Sequence, residues 1–161
     1  MKKVLITIAF ITTFSLSSQT FVEIKGGLMK LNNKHLGMTS GASVEQRFNK
    51  VGVRGSFNMV NVPIHKYDSY SLELTTTIVE TGIYTLKFGS GVSYDTANWY
   101  EKDGFGTIFN IANIVEIQDG VAVSLNIGSQ NRGGMNLMKI SVGIILDLNL
   151  KRKGSSVNRF F

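Results

Sequence analysis

Two histidines, no cysteine and a scatter of serines are the material from which this 161-residue chain would have to build a reactive centre. His35 and His65 lie far apart with no thiolate to join them, so neither has a metal-ligating partner at useful spacing. For nucleophilic catalysis, His35, Ser40 and Glu45 share one segment. In an extended strand, however, Ser40 points to the opposite face from the other two. Partners can converge from distant positions to form a triad, but no second Ser/His/acid set stands out. The glycine pairs Gly26-Gly27 and Gly133-Gly134 lack the following helix that a phosphate cradle needs. The chain therefore reads as a non-enzyme, with no catalytic residues, no cofactor site and no metal site.

What it has instead is charge set in alternation. Lys25, Arg47, Arg54, Lys87 and Lys139 are five cations, and Glu23, Glu45, Glu73, Asp95 and Asp147 are five anions. All ten fall on the polar face of segments that alternate polar with apolar residues. In a confined interior such charges must pair, because an unpaired buried charge costs several kcal/mol, on the order of 3–5. Equal numbers of each sign are what a paired network requires. These ten residues are the expected structural network of a narrow lumen.

The segments that carry them have a period of two, the signature of strands. From His35 to Phe48, one face holds Leu36, Met38, Ala42, Val44 and Phe48. The other holds His35, Gly37, Thr39, Gly41, Ser43, Glu45 and Arg47, with Ser40 and Gln46 as exceptions to the pattern. Val51 to Asn61, Tyr70 to Ile78, Ile83 to Asp95 and Leu137 to Leu150 alternate in the same way, with Ile145 an apolar intruder on the polar side of the last. Val121 to Ser129 also alternates, whereas Thr20 to Leu31 and Phe105 to Ile117 do so less cleanly. Eight strands follow, and no amphipathic helix.

The connections carry a second pattern. Asn49-Lys50 reads as a two-residue hairpin turn, and Glu80-Thr81-Gly82 and Gln118-Asp119-Gly120 as three-residue loops with glycine at the left-handed position. Longer connections are expected at Val62 to Ser69, Thr96 to Gly104 and Gln130 to Asn136, with a short one at Asn32 to Lys34. Tight turns at one end and longer loops at the other are the plan of a membrane-spanning barrel.

A soluble barrel, apolar inside and polar outside, is the alternative. Composition separates the two. Charged residues make up 17% of the chain, against about 25% in typical globular chains. The polar face is mostly Gly, Ser, Thr and Asn, whereas a solvated exterior is rich in Lys and Glu. Small polar residues suit the lumen of an eight-stranded barrel, which is just wide enough for side chains to fill. Phe48, Tyr70, Tyr94, Trp99, Tyr100 and Phe105 sit near strand ends, where an interfacial girdle would place them. The expected fold class is all-β: an eight-stranded antiparallel up-and-down transmembrane β-barrel.

The two ends of the chain read differently from its middle. Lys2 and Lys3 precede an apolar run, Val4 to Phe14, and small residues follow at Ser15, Ser17 and Ser18. This is the pattern of a secretory signal peptide over residues 1–17, cleaved after Ser17 or Ser18. Residues 18–150 are then the barrel domain, and 151–161 a basic C-terminal tail with Lys151, Arg152, Lys153 and Arg159. From Thr20 to Leu150 the chain holds eleven basic and eleven acidic residues, so the formal +6 belongs to the ends. No clustered basic stripe remains on the fold to support nucleic-acid binding.

Taken together, the leader and eight alternating strands resemble the small outer-membrane β-barrel proteins of Gram-negative bacteria, of the OmpX and OmpA-transmembrane-domain type. Gly89 to Asp95 and Ser141 to Asn149 look like barrel strands from Bacteroidota members. The resemblance implies residence in the cell outer membrane, with outer-membrane lipid around the barrel and the barrel-assembly machinery as partner during insertion. It implies that Val142 to Leu150 serves as the assembly signal, although the family usually closes on a terminal aromatic strand and Lys151 to Asn158 does not alternate. Three functions are open at this point. The first is a non-enzymatic barrel with a plugged polar lumen, structural or meeting an extracellular ligand through its external loops. The second is a small porin-like channel. The third is an envelope component of a larger apparatus, such as one for conjugative transfer, with the basic tail meeting a periplasmic partner.

Overall fold

A computed structural model describes residues 18–32, 35–62, 65–97, 104–132 and 135–149. The leader reading, the tail reading, Trp99 and Tyr100 lie outside these residues. Eight strands run β1 Gln19–Leu31, β2 His35–Phe48, β3 Val51–Val62, β4 His65–Thr81, β5 Tyr84–Ala97, β6 Gly104–Gln118, β7 Val121–Arg132 and β8 Met135–Asp147. Each pairs antiparallel with the next, and β8 returns to β1, closing the barrel without a free edge. With an even number of strands, Gln19 and Asp147 lie at one rim. The turns at 49–50, 82–83 and 119–120 share that rim, called here the turn rim. The opposite, or loop, rim carries the connections at 32–34, 63–64, 98–103 and 133–134.

Three expectations about the connections need correction. Val62 to Ser69 is not a long loop: β3 runs to Val62, β4 starts at His65, and Val62 pairs with His65. Gln130 to Asn136 is likewise mostly strand, with Arg132 paired to Met135. The sequence hid both because their ladders continue through polar residues (Lys66, Asp68, Asn131, Asn136) that break the apolar alternation while still bonding through the backbone. Only Thr96 to Gly104 keeps a substantial connection, over 98–103. The third correction concerns the two glycine hairpins. Thr81 pairs with Tyr84 around Gly82 and Ile83, and Gln118 pairs with Val121 around Asp119 and Gly120. Each two-residue turn is accompanied by a register step, between Thr77 and Val79 and between Glu116 and Gln118. A bulge residue restores the facing that a three-residue loop was expected to supply. Glycine still serves left-handed backbone there, at φ +51° in Gly82 and +77° in Gly120.

The pairing fixes the geometry of the cylinder. Stepping across partners from Phe21 passes through Glu45, Arg54, Glu73, Gly91, Ile108, Gln130 and Leu137, and returns to β1 at Leu31, ten residues along. That stagger tilts the strands and sets the bore of an eight-stranded barrel. Burial then alternates residue by residue. Ile24, Leu36, Met38, Leu72, Leu74, Val92 and Ile144 are exposed, while Glu23, Glu45, Arg54, Glu73, Lys87, Asp95 and Asp147 are buried. Along β8 the outer face is apolar from Met138 to Leu148, and all six of its outward residues are exposed. At ~3.3 Å per residue and a tilt of ~40° this band stands ~25 Å tall, the height of the apolar belt of a membrane-spanning barrel. Water-soluble proteins rarely leave so continuous an apolar surface bare.

Candidate functional site

The inward face of the strands holds the chemistry, and two carboxylates organise it. Glu45 on β2 stands opposite Arg54 on β3, because the two-residue turn at 49–50 pairs Phe48 with Val51 and carries that register inward. Arg54 Nε and Nη2 both donate to Glu45 Oε2, at 3.1 and 2.7 Å. Glu45 Oε1 accepts from Thr75 Oγ1 on β4 at 3.0 Å and from Lys87 Nζ on β5 at 2.8 Å. One carboxylate thus ties four consecutive strands. Lys87 also lies over the Phe21 ring, 5.1 Å from its centroid, a cation–π contact that reaches back to β1.

Glu23 on β1 ties the other side. It accepts from Ser43 Oγ on β2 at 2.9 Å, and from Ser124 Oγ and Asn126 Nδ2 on β7, the latter at 2.8 Å. Lys25 Nζ is 3.8 Å from Glu23 Oε2. Towards the loop rim a third group forms around Asp95, which is fully buried. Gln130 Nε2 donates to its two oxygens at 2.9 and 2.8 Å, and Arg132 Nη1 lies 3.9 Å away.

The ten residues expected from the sequence are not one network. Arg47 lies at the turn rim and pairs with Glu80 at 3.2 Å, while Asp147 accepts from the Asn149 backbone N–H at 2.8 Å. Among the described residues, Glu73 accepts only long contacts from Ser56 and Ser71, at 3.5 and 3.4 Å, and its Oε2 has no hydrogen-bond partner. Lys139 has no hydrogen-bond or ion-pair partner among the described residues. Glu80, Arg132 and Gln130 belong to the lumen clusters and escaped the sequence reading. All three lay in segments read as loops, Glu80 in 80–82 and Gln130 and Arg132 in 130–136, and Gln130 carries no charge to draw notice.

Apolar residues also line the bore. Phe21, Ala112, Ile114, Ala122 and Ile145 form a buried cluster towards the turn rim. Met29, Leu31, Val60, Val62 and Leu137, with Tyr67 against them, form another towards the loop rim. Each cluster shares its level of the bore with polar groups: Glu45, Arg54 and Lys87 line the same space as Phe21, Ile114 and Ile145, and Gln130 pairs with Leu137. No described set of His, Cys, Asp and Glu side chains has the proximity of a metal site. His35 is part-buried at the start of β2, and Ser40 faces outward, away from Glu45, so the Ser/His/acid set stays apart.

An apolar outer belt, a polar bore and a closed antiparallel ladder define the architecture of a transmembrane β-barrel. No protein-family model matches the sequence, and no curated protein does. Solved structures do match in fold. Neisserial surface protein A superposes with a TM-score of 0.66 at 10% identity, over 79% of this chain and 96% of its own. The N-terminal β-barrel domain of Pseudomonas aeruginosa OprF does so at 0.62 and 12%, over 80% and 99%. The outer membrane enzyme PagL matches at 0.51 and 10%, over 77% and 98%. At such identities the likeness is one of fold, and a fold by itself does not fix the activity.

Proposed function

We propose that this chain is an integral outer-membrane barrel, non-enzymatic and closed along its lumen, whose work is structural within the cell envelope. The observation that carries this reading is the inverted distribution of polarity. Charged and amide side chains such as Glu45, Arg54, Asp95 and Gln130 are buried and bonded to one another, while the large apolar residues face outward. Such a surface is at home only in lipid. Resemblance to the OmpX and OmpA-transmembrane-domain type supports the same location. Among the neighbours in fold, PagL is an outer-membrane protein by description, which agrees with it.

The short connections narrow the role. Three of the four segments at the loop rim span only two or three residues, 32–34, 63–64 and 133–134. Contact with ligands or other cells through long external loops therefore rests on 98–103 alone, whose sequence is Asn98-Trp99-Tyr100-Glu101-Lys102-Asp103. A catalytic role has no assembled nucleophile, base and acid among the described residues to support it. Single-channel recording of the purified barrel in planar bilayers tests closure. A silent bilayer is the expected result, and stable open events would replace this reading with that of a small channel.

A further inference from the structure

We propose that the outer wall of β1–β4, near the loop rim, is a docking groove for one acidic lipid. Its acyl chain lies on a methionine-lined floor, and its phosphate is held by Lys30 and Lys66. This site presupposes the membrane-barrel reading and adds a partner to it.

The stagger of the strands fixes which residues share the upper edge of the apolar belt. Spread over eight strands, ten residues put positions of equal height about one residue off the paired rows. Followed round from Met138, the top of the belt on β8, that level passes close to Tyr70 on β4, Tyr94 on β5 and Phe105 on β6. Tyr94 and Phe105 have ring centroids 5.1 Å apart, and this half is the aromatic girdle of a membrane interface. On the other half the level passes Leu28 on β1, Met38 on β2 and Met59 on β3, all exposed and none aromatic. Methionine is flexible and polarizable, and adapts to an irregular partner.

In place of rings this half has a groove of about 720 Å³, whose wall includes Leu28, Met38, Ser40, Met59, Lys66 and Asp68. Ser40, the polar exception on the outer face of β2, pairs with Gly26, so two small residues keep the floor low on the belt side of Leu28 and Met38. A two-fold contact between copies would set the groove against itself and leave it unfilled. A flexible acyl chain lies along it.

Charge selects the headgroup. Lys30 follows Leu28 towards the rim, and Lys66 pairs with Asn61, just rimward of Met59. Both lysines are exposed, and Asp68 beside them is part-buried. None of the described outward residues near this rim on β5–β8 is charged. Two cations and one acid leave a net positive charge over the groove. Lysine stems running along an apolar wall carry their ammonium groups to headgroup height.

For the test, the heat-shiftable barrel is purified in detergent micelles and mixed with dioleoylphosphatidylglycerol or dioleoylphosphatidylcholine. Native mass spectrometry reads the ratio of singly bound to free protein. Each lysine near an anionic headgroup contributes about fivefold in affinity and Asp68 offsets one, so the acidic lipid is expected to be retained about fivefold better. Lys30→Gln with Lys66→Gln is expected to abolish that preference, and Asp68→Asn to raise it about fivefold. Met59→Trp fills the groove and is expected to cut retention of the acidic lipid about threefold or more. Ser40→Leu, which fills the floor instead, is expected to do the same, whereas Val92→Trp on the aromatic half leaves retention unchanged. Equal retention of the two lipids by the parent overturns the proposal, and so does a preference untouched by the lysine pair or by both groove-filling changes. A mass of two chains that Met59→Trp dissociates overturns it in favour of a second copy. A parent with no heat-shiftable band overturns instead the membrane-barrel reading.

Discussion

Replacing Glu45 with glutamine removes one charge while keeping the side chain's shape, and is expected to cost about 3–5 kcal/mol of unfolding free energy. Two cations lose their partner together: Arg54 at 2.7 Å and Lys87 at 2.8 Å, with side chains only 4% and 6% exposed. Neither can turn to bulk water from the middle of the bore. Some relief comes from Glu73, which is paired with Arg54 across the β3–β4 ladder and has a free oxygen. That relief keeps the loss within the range for one broken buried pair. Lys87→Met leaves Arg54 to neutralise Glu45 and fills the vacated volume, so its cost is smaller, about 1–2 kcal/mol. In the double variant only one cation faces the amide. A coupling energy of about 1 kcal/mol or more should therefore appear in the mutant cycle. The assay is urea unfolding of the barrel in phosphatidylcholine vesicles, followed by tryptophan fluorescence and by the fraction of protein that shifts on boiling. A Glu45→Gln barrel within about 0.5 kcal/mol of the parent, as for an ordinary surface change, would refute the claim that this pair is buried and coupled.

Two backbone predictions can be read in the same unfolding and refolding assays. A side chain at Gly91 would collide with the carbonyl oxygen of Leu72 on the paired strand, whereas one at Gly55 would meet open space. Gly91→Ala is therefore expected to cut the yield of heat-shiftable barrel and Gly55→Ala to leave it unchanged; equal yields would argue against this β4–β5 register. At the turn rim, Gly82→Ala imposes a Cβ on backbone at φ +51° and is expected to cost about 1–2 kcal/mol. Asn49 already adopts φ +57°, and Asn49→Gly is expected to change stability by less than about 0.5 kcal/mol. If both substitutions prove neutral, the turn geometry is wrong.

The barrel was legible because a period of two is hard to imitate. β2 and the start of β3 match their expected bounds, and the turn at 49–50 between them determines that Glu45 meets Arg54. The strands that alternated poorly are the more instructive. β1 and β6 blurred because Phe21, Met29 and Leu31 on one, and Ile108, Ala112 and Ile114 on the other, put apolar residues on the inward face. Ile145, the intruder on β8, belongs to the same turn-rim cluster as Phe21 and Ile114. Apart from Ile108, these departures from the pattern belong to the two apolar clusters that line parts of the lumen, and a reading that treated them as noise could not find them. Partners across the bore were out of reach for a different reason. The contact of Lys87 with Glu45 spans three strand-to-strand steps, and its closeness depends on barrel closure and stagger, which no local spacing encodes. Tyr70, taken for a strand-end aromatic, lies well inside β4 and packs against Phe57 at 5.2 Å, because the strand begins earlier than its apolar alternation does.

Everything above depends on a barrel that lives in a lipid bilayer, and fractionation of cell membranes combined with gel mobility tests that claim most directly. The expected result is recovery of the protein in the outer-membrane fraction, resistant to extraction by high salt. Its folded band should run at a different position before boiling than after. A protein found soluble in the periplasm, with one mobility before and after heating, would contradict it.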